Sequence, residues 1–144
     1  MKGAPMIGTE ALDVDRIRQD LIARTVGSQI HLFQEVPSTN LVLQRLARAG
    51  APEGTVVLAD AQTAGRGRLG KPWFSPAGVN LYASVLFRPL LRLAEVAVFS
   101  FIAPLALSDA MQEEGVEPAI KWPNDILPGK RKVAGILAES WAPD

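Results

Sequence analysis

The sequence predicts an α/β fold of the α+β type: a mixed β-sheet covered by helices. Three observations predict it. Short β-branched or alternating apolar runs recur along the chain. Helical segments with capping residues lie between them. Hydrophobic residues make up 48% of the 144, enough to build a core.

Residues 1–8 read as a flexible tail and 9–144 as one domain. Asp13 or Asp15 can cap a first helix, with Ile17, Leu21 and Ile22 on one face. His31 to Val36 is a short strand. Ser38 or Thr39 then caps a second helix, Leu41 to Ala49, which Gly50 stops. Thr55 to Ala61 is an apolar, β-branched strand. Val79 to Arg88 alternates, with Leu81, Ala83, Val85 and Phe87 on one face and Tyr82, Ser84 and Leu86 on the other. That pattern predicts a strand buried on both sides. Leu93 to Glu114 is a long helix with a kink at Pro104. The apolar stretch from Leu90 to Met111 contains Arg92, Glu95, Pro104 and Asp109, and reads as a buried helix rather than a membrane span. Ala119 to Trp122 and Lys132 to Glu139 are two further strands, joined as a hairpin through Pro128-Gly129. The chain stops after that last strand, at Ala142-Pro143-Asp144, with no closing helix, which reads as a fragment.

Charge and composition remove several functions. Fifteen basic and fifteen acidic residues leave no net charge, so a surface that is one continuous nucleic-acid footprint is not expected. The absence of cysteine excludes disulfides and thiol nucleophiles and fits a cytoplasmic protein. No basic segment with an apolar run and cleavage site opens the chain, so neither a signal peptide nor a membrane anchor is expected. His31 is the sole histidine, which argues against a zinc cage, and no tightly bound metal is expected.

The most informative run is Asp60-Ala-Gln-Thr-Ala-Gly-Arg-Gly-Arg-Leu-Gly-Lys-Pro-Trp-Phe-Ser-Pro76. Gly65, Gly67 and Gly70 free the backbone, while Arg66, Arg68 and Lys71 add positive charge without an acid between them. Such a loop can close over an anion. Gly65 to Gly70 formally matches a dinucleotide fingerprint, but that motif must open a helix. Pro72 and Pro76 follow instead, which ends that reading.

Three further clusters stand beside it: Ser38-Thr39-Asn40, Lys121-Trp-Pro-Asn-Asp125 and Lys130-Arg-Lys-Val-Ala-Gly135. Each alone has a plain structural reading. Ser38 and Thr39 can simply cap a helix, and Asn124 and Asp125 can hold a turn. Lys130 and Arg131 can be solvated hairpin charges, and Trp73 and Tyr82 core. Together they place Arg66, Arg68, Lys121 and Lys132 in the loop or at strand ends, where sheet folds bind ligands. An ion pair about 4 Å apart gains about 4 kcal/mol at an effective dielectric near 20. Two or three could hold a carboxylate beside a phosphate.

In order and approximate spacing, Pro37-Ser-Thr-Asn40, Gln62 to Gly70, Trp73-Phe-Ser-Pro76, Lys121 to Asp125 and Lys132 to Glu139 resemble the catalytic domain of biotin protein ligases. The resemblance covers about residues 30–140. It implies a class II aminoacyl-tRNA-synthetase-like biotin/lipoate ligase fold. It also implies a two-step reaction, in which biotin and Mg-ATP give biotinyl-5'-AMP and biotin then passes to a lysine of a biotin carboxyl carrier protein. By the same resemblance Ser38, Thr39, Asn40 and Gln62 bind the biotin ring system. Gly65, Arg66, Gly67 and Arg68 bind the carboxylate and phosphate side, and Trp73 covers the intermediate. Lys132 contacts the carboxylate and the adenylate bridge, with Lys121 a further catalytic cation, and Gly135 lets backbone approach the ligand. Asn124 and Asp125 face the reaction centre, with Asp125 orienting or deprotonating the incoming lysine.

The sequence also departs from the family. About 35 residues precede Pro37, too few for the helix-turn-helix domain of the regulatory members, so no DNA binding is expected. The family's further glycine-containing strand and small C-terminal β-barrel are not expected in this chain. Homodimers are common in the family. Two alternatives remain: a lipoate or octanoate ligase of the same superfamily, and a non-enzymatic module whose basic loop grips nucleic acid or another anion.

Overall fold

A computed structural model describes residues 11–141. The tail expected over residues 1–8 and the ending at Ala142–Asp144 lie outside the described residues. The chain divides into two compact units. The first comprises the chain up to Arg66 together with Pro72–Arg88; the second comprises Gly67–Lys71 and the chain from Pro89 onward.

In the first unit, helix α1 (Val14–Asp20) starts at Asp13, whose side chain accepts from the Asp15 and Arg16 amides. It is shorter than expected: Leu21 turns extended, and Ile22 is almost fully exposed. Strand β1 (Ile30–Val36), helix α2 (Thr39–Arg48) and strand β2 (Val56–Gln62) then form a crossover that sets β1 and β2 parallel. Strand β3 (Tyr82–Val85) pairs antiparallel with β2 on its other side, so the sheet is mixed, in the order β1-β2-β3. The central strand is the most enclosed, with Val57 and Ala59 at 0% exposure. Helix α2 packs on β2 and β3. Arg88 closes its far end by donating to the Ala47 carbonyl at 2.8 Å and to the Ala51 carbonyl, just beyond the helix, at 2.9 Å, a cation at the negative end of the helix.

The expected two-sided burial of Val79 to Arg88 is corrected. Tyr82, Ser84 and Leu86 are buried, but Leu81, Ala83 and Phe87 are exposed. As an edge strand, β3 has helix α2 against one face.

In the second unit, the expected single helix over Leu93 to Glu114 is divided. A 3-10 segment (Leu93–Val98) leads into α3 (Phe99–Glu113), and Pro104 stays inside the helix. The Arg92 amide donates to Glu95 at 3.0 Å and its guanidinium to the same carboxylate at 2.7 Å. That contact, side chain first, holds the exposed Glu95 carboxyl below the usual glutamate range.

Burial of this helix is also corrected. Ala94–Glu113 is long and apolar enough to cross a membrane by length and composition, yet only 11% of its most apolar window is buried. Pro104 and Ser108 are buried, whereas Phe101, Ile102 and Leu105 are exposed. The sheet beside it is too small to cover more than one stripe. Its strands are β4 (Pro118–Lys121), β5 (Asp125–Pro128) and β6 (Ala134–Gly135), an antiparallel meander.

Strand β5 was not expected. It pairs with both neighbours, so the anticipated hairpin is two successive turns, one at Trp122-Pro123-Asn124 and one after Pro128. The last strand is correspondingly short, two residues in place of Lys132 to Glu139.

Candidate functional site

The residues singled out by the sequence fall into two groups, one in each unit. In the first, α2 begins at Ser38, which is buried but makes no side-chain cap. The unpartnered amide at the start of the helix is instead satisfied from the sheet: Thr39 N–H donates to Gln62 Oε1 at 2.9 Å. The Thr39 hydroxyl reaches the same oxygen at 3.2 Å. Gln62, the last residue of β2, donates through Nε2 to Ser75 Oγ at 3.0 Å, and Ser75 donates to the Trp73 carbonyl at 3.0 Å. On the other side of Thr39, Ser84 of β3 contacts Thr39 Oγ1 at 2.8 Å and also Asn40 Oδ1.

Proton counting fixes what this buried row can offer. The Thr39 hydroxyl donates its one hydrogen to Gln62 Oε1 and accepts from Ser84 Oγ, which uses one of its two lone pairs. The lone pair that remains on Thr39 Oγ1 can accept from an N–H or O–H and cannot pair with another acceptor.

Beside the row, the basic segment is tied at its root. Gln62 N–H donates to the Ser75 carbonyl at 3.1 Å and Trp73 N–H to the Gly65 carbonyl at 2.8 Å, and Arg66 bridges to Pro72. Gly65 is required there. A Cβ would lie 2.5 Å from the Trp73 oxygen and 2.6 Å from Ser75 Oγ.

In the second unit, the 3-10 turn Arg68–Gly70 is closed by Gly67 N–H donating to the Lys71 carbonyl at 2.7 Å. Leu69 within it is left-handed at φ 58° and 90% exposed, a conformation that costs about 1–2 kcal/mol for a side chain of this kind. Arg68 Nη1 donates to Asn124 Oδ1 at 3.3 Å. Lys121 and Asp125 face each other across β4 and β5, and Asp125 faces Gly135 across β5 and β6. Lys132 Nζ sits 2.6 Å from Asp125 Oδ1. With side chains 38% and 24% exposed, that pair is solvent-screened and contributes about 0–1 kcal/mol to stability. Its chemical interest is the carboxylate: Asp125 already holds one lysine ammonium. Among the described residues, no group of three His, Cys, Asp or Glu side chains could hold a metal ion alone. Ser75 and Ser84 were not singled out as site residues. Ser84 carried a usable signal, since a serine on the buried face of an alternating strand needs a partner.

The model of the biotin/lipoate A/B protein ligase family matches residues 32–142. The chain belongs to that family. As a biotin/lipoate ligase family member, it is 37% identical over 132 residues to the bifunctional ligase/repressor BirA of Bacillus subtilis, covering 91% of this chain and 41% of that protein. It is 45% identical over 112 residues to the biotin–[acetyl-CoA-carboxylase] ligase of Paracoccus denitrificans, covering 76% of this chain and 46% of that one. It also superposes with a TM-score of 0.65 on the biotin protein ligase of Aquifex aeolicus in complex with biotin and ATP, at 35% identity, covering 78% of this chain and 47% of that structure. The fold is thus that of a biotin protein ligase catalytic domain. The chain spans about half the length of these relatives.

Proposed function

We propose that this chain belongs to an ATP-dependent biotin protein ligase. The observation that carries the reading is the inward commitment of the Thr39 hydroxyl. A ureido ring offers N–H groups, which the lone pair of Thr39 Oγ1 accepts, with Ser38, Asn40 and Gln62 completing recognition of the ring. The dithiolane ring of lipoate has no N–H or O–H, so the same geometry favours biotin over the lipoate alternative. A buried donor left without an acceptor costs about 1–3 kcal/mol, enough to separate the two acids.

In the first step a biotin carboxylate oxygen attacks the α-phosphorus of ATP, the bond to the β-phosphate oxygen breaks, and pyrophosphate leaves. Arg68, Lys121 and Lys132 of the second unit supply positive charge suited to what develops there, a role that the family resemblance also gives Arg66. Mg2+ enters with ATP, held by the nucleotide's phosphates as this hard, strongly hydrated ion usually is. In the second step a lysine amine of a biotin carboxyl carrier protein attacks the acyl carbon, the mixed anhydride bond breaks, AMP leaves and the amine loses a proton. Asp125 is the group suited to orient that amine. Gly65, Gly67 and Trp73 let the loop close against water. The setting is cytoplasmic, where carboxylases and ATP occur together.

Calorimetry of this chain with biotin, with lipoate, and with biotin plus ATP tests the reading. Heat with biotin and none with lipoate is expected, and lipoate binding alone would reverse it. Tight nucleic-acid binding that weakens steeply with salt would favour the anion-binding module instead.

A further inference from the structure

We propose that Ser75 is a positioning residue, which holds the Gln62 amide in the single orientation that commits Thr39 and ties ring recognition to the root of the basic loop. The inference rests on the biotin reading for its ligand, but its geometry stands independently. The Trp73 carbonyl can only accept, so the Ser75 hydrogen is used there. Ser75 Oγ therefore faces Gln62 as an acceptor and admits only the amide NH2. At the opposite end, Thr39 N–H can only donate and so admits only Oε1. The side chain is pinned at both ends, and an amide flip would break both contacts.

The pin sits where the loop closes. Ser75 also accepts Gln62 N–H through its own carbonyl, making one residue the partner of Gln62 through both backbone and side chain. The space a side chain at Gly65 would need is filled by this knot. Ser75 itself is 5% exposed and lies too deep to be a surface ornament. Loss of its acceptor frees the NH2 end, lets the amide rotate, and so loosens what Thr39 presents to a ligand.

The test uses the ligand-free chain first. The side-chain amide signals of Gln62, assigned by their loss in Gln62→Met, are followed by nitrogen-edited NMR in Ser75→Ala and Ser75→Thr. Ser75→Ala is expected to collapse their dispersion and speed their hydrogen exchange at least tenfold, and Ser75→Thr to restore both. Calorimetry then reads biotin. Ser75→Ala should weaken its Kd by about 5- to 30-fold, Ser75→Thr should recover it, and Ser75→Ala added to Gln62→Met should cost no more than about twofold further. A merely architectural serine would lower thermal stability without that coupling.

Unchanged amide signals in Ser75→Ala overturn the proposal, as does full additivity in the double variant. Should Ser75→Ala not fold, Ser75→Cys replaces it, and amide signals left at their wild-type positions there overturn the proposal equally. If the wild-type chain ignores biotin while its amide responds as expected, the positioning role stands and the biotin reading falls.

Discussion

Thr39→Val isolates the hydroxyl whose lone pair is assigned to the ligand. Threonine and valine match in shape, so the change removes chemistry with little change in packing. Two contacts disappear, at 3.2 Å to Gln62 and 2.8 Å to Ser84. Both partners keep another: Gln62 still accepts from Thr39 N–H, and Ser84 still reaches Asn40. The stability cost is therefore small, about 1–2 kcal/mol at about 1 kcal/mol per net hydrogen bond. For a chain of this size that is a fall of about 3–8 °C in Tm. The ligand suffers more. A ureido N–H facing a methyl group loses its acceptor while buried, about 1–3 kcal/mol, or about 5- to 150-fold in Kd. Calorimetry with biotin, beside thermal unfolding by circular dichroism, reads both numbers, and Thr39→Ser serves as the recovery control. A Tm shift in the expected range with a biotin Kd within about twofold of wild type would refute the donor–acceptor reasoning.

Other expectations are more local. Gly65→Ala forces backbone atoms apart around the Trp73 carbonyl, so the denaturation midpoint should fall by the equivalent of about 1–3 kcal/mol; an unchanged midpoint would mean the root of the loop is looser than described. Asp125→Asn should change stability by less than about 1 kcal/mol but slow single-turnover biotin transfer from preformed adenylate more than it slows adenylate formation. Equal slowing of both steps contradicts a role with the incoming amine. The Glu95 carboxyl is held ionised by Arg92, so its folded titration point lies below the unfolded one. Its contribution is fully present above the unfolded value and lost as pH falls through the folded one. Carbon-detected NMR of that carboxyl should titrate below the usual glutamate range, and Arg92→Ala should return it there.

Sequence alone gave good access to the first unit. The β-branched run ending at Ala61 and the polar triplet Ser38-Thr39-Asn40 before an apolar helix placed β2 and α2 within a residue or two. Strand β5 escaped because Pro123-Asn124 and Pro128-Gly129 are turn formers on both flanks, leaving too few apolar residues to show a period. Exposure of β3 and α3 was illegible for another reason. Alternation and hydropathy report what a residue prefers, not whether a partner element is there to cover it. Within the candidate site, motif order singled out Thr39 and Gln62, which the structure joins by hydrogen bonds. The Ser75 contact was not legible, because it depends on a loop returning to the end of a strand thirteen residues earlier.

The glutamine proposed to help recognise the ring is borne on the best-protected strand in its unit. Gln62 ends the central strand, whose Val57 and Ala59 have no contact with solvent, while the arginines follow on backbone outside the sheet. Groups set on rigid strands hold their geometry more tightly than groups set on loops. On the proposed biotin reading, choice of acid and length of stay would be separable traits. Shortening or loosening the arginine segment should hasten departure without altering which acid is admitted.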